Sequence, residues 1–376
     1  MGTLTVTGTH DYSGEVLPNT PIDTILFDYG LAVFTIAKFD DSQFDGVQIS
    51  TTVGITSDNT GFGYIAVNID GTFSAAGWTF NNPFRGLIQL QGGSGADTIT
   101  GNPLVVTAFI GGEGADTLIG GDAGNLFAYF SQLDVEAGET ITGGSEGDTL
   151  EIRNTGGVFD FTGATLTDID KIIIVDDPSI LARQATTLQF SANQIETSGI
   201  TQVEDTNSTA DTIIISGATV DLSTVNFNWN SGVDLVRIFG TSGVDSLTGS
   251  NVADIIDGGG GKDSLTGGLD ADKFKFDVKT DSVKGVNRDV IEDFSGVLGG
   301  EHDQIDLSPI DAKKGHGNQD FHFIGKHHFH DKKGELHYVK KAGFVIVEGD
   351  INGDGKADFQ IEVRDVAKLG HDDFIL

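Results

Sequence analysis

Four nine-residue units follow one another without a break from Gly240 to Lys275: GTSGVDSLT, GSNVADIID, GGGGKDSLT and GGLDADKFK. Position one is Gly240, Gly249, Gly258 and Gly267; position six is Asp245, Asp254, Asp263 and Asp272. The same unit occurs earlier at Gly92 to Thr100, Gly111 to Ile119 and Gly143 to Glu151, with Asp97, Asp116 and Asp148 at position six, while Gly120 to Ala128 carries Asn125 there. A carboxylate repeated beside glycines is a set of hard oxygen donors. Gly92, Gly93, Gly95, Gly111, Gly112, Gly114, Gly258, Gly259 and Gly261 let the backbone come close enough for loop carbonyls to face a common centre. Ca²⁺ suits such cages of six to eight oxygens better than Mg²⁺, which demands octahedral geometry and keeps its waters. An unfolded chain holds no such site, so the binding free energy of the ions becomes folding free energy.

To place those groups, each unit must form a half-turn and a short strand, with position eight (Leu247, Ile256, Leu265, Phe274) pointing inward. Two half-turns close a coil of about 18 residues, which stacks Asp245 on Asp263 and Asp254 on Asp272 in two ladders on opposite edges. The expected fold is therefore all-β, a parallel β-roll or β-helix solenoid. Residues 1–90 contain short β-branched runs such as Leu4 to Val6 and Val33 to Ile36, consistent with first coils. Between 152 and 237 the glycines thin out, yet Asp170, Asp211 and Asp234 each precede a β-run, as expected of coils without metal loops. Calcium loops are expected at 92–151 and 240–275 within a region 91–275, followed by a separate domain at 276–376 with strands around Phe321 to Ile324, Leu336 to Val339, Phe344 to Glu348 and Phe359 to Val363.

Composition agrees. The 376 residues carry a formal charge of −34, and 53 are Gly, roughly twice the usual ~7% share. Of 56 acids, 43 are Asp, the turn former, and not Glu, the helix former. So acidic a chain is a poor partner for nucleic acid. With no Cys, disulfides, thiolate metal sites and a Cys nucleophile are excluded. Leu31 to Ala37 and Pro103 to Ile110 are too short to cross a bilayer, and Met1 to Thr9 has no signal-peptide pattern. Only six of the 22 basic residues and one of nine His precede residue 262.

GGSGADTIT, GGEGADTLI and GGGGKDSLT resemble the RTX nonapeptide GGxGxDxUx of secreted bacterial calcium-binding proteins. The resemblance implies a right-handed parallel β-roll holding several Ca²⁺ ions between successive loops, through the Asp side chains and glycine carbonyls named above. Asn125, Glu146, Asp270, Thr241 and Ser250 depart from the pattern, which implies weak or empty loops there. Asp289 to Phe294, Asp303 to Leu307, Gly334 to Tyr338, Asp350 to Ile361 and Asp372 to Leu376 resemble, in order, the C-terminal domain of serralysin-type proteases. That similarity implies an uncleaved C-terminal type I secretion signal, export through the type I machinery, and a secreted, extracellular or cell-surface location. The H-E-x-x-H of the protease is absent from the sequence.

Other motifs read as structure. Asp350, Asn352, Asp354 and Asp358 have the spacing that opens an EF-hand-like loop, a weaker metal candidate, but Ile361 stands where a bidentate Glu belongs, so a hairpin turn is the preferred reading. His327, His328 and His330, with His322 and His337, are placed on an exposed polar hairpin beside Lys326, Lys332 and Lys333. Ser145 in Gly143 to Gly147 matches G-x-S-x-G inside a nonad and not at a strand-to-helix turn. The expectation is a non-enzymatic calcium-binding protein that folds on calcium outside the cell, with a structural, surface-layer, matrix or adhesive role, through self-assembly or cell-surface polysaccharide. The alternative is a polysaccharide-acting β-helix enzyme, with Lys38, Arg85, Arg153, Lys171, Arg183 and Arg237 as its few cations, or a carbohydrate-binding module at 1–90; Trp78 and Trp229 are open candidates for sugar contact in either part of the chain.

Overall fold

The structure is a computed structural model that describes all residues except 1, 18–20, 29–33, 47, 58–61, 82–84, 155, 177–183, 207–208, 230–232, 298–299 and 314–316. Val33 and Arg183 thus lie outside the described residues. The chain divides into two compact units, residues 1–184 with 197–207 and residues 185–196 with 208–376.

In the first unit every described strand pairing is parallel. One sheet stacks Phe34–Asp40, Phe62–Asn68, Arg85–Gln91, Thr107–Ile110, Leu126–Tyr129, Thr149–Asn154, Lys171–Asp176 and Gln202–Asp205. A second stacks Thr72–Ser74, Thr98–Thr100, Thr117–Ile119, Thr140–Thr142 and Thr165–Thr167, and a third joins Gly2–Val6, Ile22–Phe27, Ile49–Ser57 and Thr79–Phe80. The strands alternate, so one residue in two enters the core and stacks on its equivalent in the next coil. Val67, Leu90, Phe109, Phe127, Leu150 and Ile172 form one such column, all fully buried, with Phe109 and Phe127 stacked at 4.8 Å. Ile99, Leu118, Ile141 and Leu166 form its counterpart. Each such side chain removed from water contributes roughly 1.5–3 kcal/mol.

The second unit repeats the scheme. Phe190, Ile215, Ile238, Ile256, Phe274, Ile305 and Phe374 stack in one parallel sheet; Val220, Leu247, Leu265, Ile291 and Val363 stack in the other. All four position-eight residues are fully buried. The second sheet then changes character, because Phe359–Arg364, Phe344–Asp350 and Glu335–Lys340 pair antiparallel. These are the strands expected beyond residue 276. Both units are parallel β-solenoids, and the whole is all-β apart from one α-helix among the described residues, Ala192–Ser198. No helix among them is long and apolar enough to cross a membrane.

Candidate metal centre

Each nonad loop ends where its strand begins, so parallel pairing of the strands brings the position-six residues into line. Leu247 pairs with Leu265 and Ile256 with Phe274, and the Asp residues just before them meet. The Asp245 N–H donates to Asp263 Oδ1 at 2.9 Å, and the Asp254 N–H to Asp272 Oδ1 at 2.8 Å. In the first unit the Asp97 N–H donates to Asp116 Oδ1 at 2.8 Å. The seven position-six aspartates are buried, Asp97 being the most exposed at 3%. The stacking expected from the 18-residue spacing is thus present, as two ladders in the second unit.

The glycines leave room between coils. A Cβ at Gly92, Gly240 or Gly249 would lie within 2.7 Å of two oxygens: Oδ2 of the loop's own Asp (Asp97, Asp245, Asp254) and the carbonyl of the next coil's position one (Gly111, Gly258, Gly267). The carbonyls of Gly93, Gly95, Thr241 and Gly243 crowd the Cβ places of Gly112, Gly114, Gly259 and Gly261, all four of which have positive φ. Only glycine tolerates both the approach and the conformation. At Gly258 the nearest atom is Asp263 Oδ2, and at Gly111 it is Asp116 Oδ2.

Among the described residues no cation pairs with these carboxylates. Oδ2 of Asp116, Asp148, Asp263 and Asp289 is buried with no hydrogen-bond partner of acceptable geometry, a state that costs roughly 1–3 kcal/mol or more per group. Burial pushes Asp116 and Asp263 up to about 6, Asp254 to about 8 and Asp272 to about 9. Asp148 is also raised by burial, although the Asn125 and Gly144 amides hold it down. Buried anions without a counter-charge, set among inward-facing carbonyls, are the donor set of a hard cation. The residues present therefore fit calcium.

The RTX calcium-binding nonapeptide repeat family matches the chain in four copies, over residues 89–103, 109–126 and 239–274. The matched segments are similar to RTX calcium-binding repeats. They bind Ca²⁺, and several repeats bring several ions. No curated protein matches the chain. The RTX match leaves out Gly143 to Glu151, although its loop geometry parallels the others.

The departures from the RTX pattern have local explanations. Thr241 and Ser250 each direct N–H and hydroxyl to the carboxylate of their own loop, Asp245 and Asp254. Asn125 Nδ2 donates to the Gly121 and Ala123 carbonyls and to Asp148 Oδ1. Asp270 adopts positive φ, 76°. Asp350 accepts the Gly353 and Gly355 N–H groups, and Asp358 those of Ile351 and Asn352, so these side chains close the hairpin between Phe344–Asp350 and Phe359–Arg364. Asp354 accepts the Lys356 N–H.

The remaining candidates make contacts of their own. His337 lies between the His327 carbonyl and Glu348, each at 2.9 Å, and His330 contacts Glu335. Ser145 Oγ contacts Asp122 at 3.3 Å, and His10 contacts Glu15. Trp78, 2% exposed, stacks on Phe44 at 5.0 Å in the core of the first unit; Trp229 is half-buried against Phe227.

Several ladder members do not follow the RTX motif. Glu139 accepts the Asp116 N–H and the Tyr129 hydroxyl, and burial pushes it up to about 8. Asp289 and Asp303 accept the N–H groups of Asp263 and Asp272, and Asp234 that of Asp211. The sequence signal for the last pair is the Asp before each β-run. For Glu139 there is none, because its loop lacks the glycines.

Proposed function

We propose that this RTX repeat chain is a secreted, non-enzymatic protein whose two solenoid units are zipped by calcium, and that its role is structural, as a surface-layer, matrix or adhesive component. The seven buried nonad aspartates, aligned coil on coil without cationic partners among the described residues, carry this reading. Asp97, Asp116, Asp148, Asp245, Asp254, Asp263 and Asp272, with the carbonyls of Gly92, Gly93, Gly95, Gly111, Gly112, Gly114, Gly258, Gly259 and Gly261, are the ligands assigned here. In cytosol poor in free calcium the ladders repel and keep the chain loose; outside, calcium at ~10⁻⁴ to 10⁻³ M, the range of extracellular modules, neutralises them. Residues 1–90 serve as first coils, 91–275 as the calcium-binding body, and 276–376 as a serralysin-like domain with a type I secretion signal.

Circular dichroism and sedimentation with and without calcium test this. The calcium-stripped chain is expected to lose most β-signal at neutral pH and regain it cooperatively on calcium addition, and calcium-dependent growth into large particles is expected of a lattice or matrix component. Equal folding in excess chelator would refute the gating.

A further inference from the structure

Four position-one glycines share one local geometry, and only three face another nonad. At Gly143 the Cβ place is crowded by Asp148 Oδ2 from its own loop and by the Asp168 carbonyl from the next coil. Asp168 thus stands where Gly111, Gly258 and Gly267 stand at the other three loops. One step further, the Asp148 N–H donates to Asp170 Oδ2 at 2.8 Å, as Asp97, Asp245 and Asp254 do to Asp116, Asp263 and Asp272. Asp168-Ile169-Asp170 therefore fills, in three residues, the places that positions one and six fill in a nonad. Asp168 holds φ 53°, uncommon for a residue with a side chain. The short loop is pinned: the Asp170 and Lys171 N–H groups both donate to the Asp148 carbonyl, at 3.0 and 3.1 Å, and Ile169 is fully buried.

An independent observation points to a ligand. Asp148 is 0% exposed, its Oδ1 takes the Asn125 N–H and side-chain amide, and its Oδ2 has no hydrogen bond of acceptable geometry, the Gly144 amide being its one near donor. Lys171, next along the strand, is paired with Glu204. On the opposite side of the loop, Asn125 Nδ2 faces three oxygens, the Gly121 and Ala123 carbonyls at 3.0 and 2.6 Å and Asp148 Oδ1 at 2.8 Å. An amide donor aimed at loop carbonyls and a carboxylate does there what a cation does elsewhere.

We propose that Asp148, the Asp168 carbonyl and Asp170 form a calcium site, and that the Asn125 amide replaces the ion on the other side of the same loop. The loop 143–148 then takes its ion from the coil that follows it. This inference rests on the RTX reading of the ladders.

Counting bound calcium on the full chain by equilibrium dialysis tests it. Asp170 is exposed, so Asp170→Asn leaves the fold intact, as circular dichroism in saturating calcium would verify. Asp148→Asn and Asp170→Asn are each expected to remove one ion, or weaken it at least tenfold, and the double variant the same single ion. Asn125→Asp is expected to add one. Unchanged count and affinity in Asp170→Asn, or two ions lost in the double variant, would overturn the site; an unchanged count in Asn125→Asp would overturn the amide replacement. Asp263→Asn, in a family-matched nonad, separates the levels. If it loses an ion while Asp170→Asn does not, the RTX reading survives and this site falls; if it too keeps every ion, both fall.

Discussion

At the residue scale, glycine and aspartate divide the work: one supplies space, the other charge. Gly259 has φ 76° and its Cβ place overlaps the Thr241 carbonyl, whereas Gly260 has open space around it. Gly259→Ala is expected to cost about 1–3 kcal/mol in backbone strain, raising the calcium concentration for half-folding roughly tenfold. Gly260→Ala should leave it unchanged, and circular dichroism titrations compare the two. The aspartates set the pH response. In the calcium-free fold, burial raises Asp116, Asp263 and Asp303 to about 6, Asp254 and Asp289 to about 8 and Asp272 to about 9, against ~3.9 unfolded. Their folded forms prefer the proton, so their contribution is fully present below ~4 and is lost as pH climbs through 6 to 9. The calcium-stripped chain should therefore regain β-signal in circular dichroism as pH is lowered from 9 to 5, and salt, which screens exposed charges but hardly buried ones, should not abolish the difference. A β-signal independent of pH in the calcium-stripped chain would contradict the desolvation.

At the scale of the element, a coil is one inward column residue beneath one loop. Leu265 lies between Leu247 and Ile291 in its column and is fully buried. Leu265→Ala is expected to cost about 2–5 kcal/mol and to shift calcium-induced folding to higher calcium, with the number of bound ions unchanged. Lost ions would mean that the column positions the loops as well as stabilising them. This division explains what was legible in the sequence. Position eight, the Asp245–Asp263 and Asp254–Asp272 stacking and the strands after residue 276 follow from fixed spacing and alternation. Glu139, Asp289 and Asp303 join the ladders across coils of unequal length, where no constant period links them to their partners. A change from parallel to antiparallel pairing within one sheet leaves no mark in residue alternation, so the hairpins at Glu335–Lys340, Phe344–Asp350 and Phe359–Arg364 were readable as strands but not as a change of direction. The burial of Trp78 depends on Phe44, which comes from the preceding coil, as well as on Phe73.

For the whole molecule, the proposed export signal and the fold draw on the same C-terminal segment. Phe374–Ile375 pairs with Gln304–Asp306 as a strand, Phe374 is 5% exposed, and Asp373 accepts the Gly370 and Val297 N–H groups. On the proposed reading, a secretion signal docked in this way would be hidden once calcium had zipped the second unit, so export would have to precede folding. Deleting Gly370 to Leu376 is expected to abolish export, and undiminished export would sink the C-terminal signal. The deletion also removes a strand, which confounds the two effects. Ile305→Ala separates them, since Ile305 is the fully buried partner of Phe374 and lies outside the deleted segment. It should cost about 2–5 kcal/mol of stability and raise the calcium needed for folding, while export, measured as the secreted fraction, stays at the wild-type level. A parallel loss of export in Ile305→Ala would mean that the signal is read from the docked fold and not from the extended chain, and the calcium-gated order of events would then be reversed.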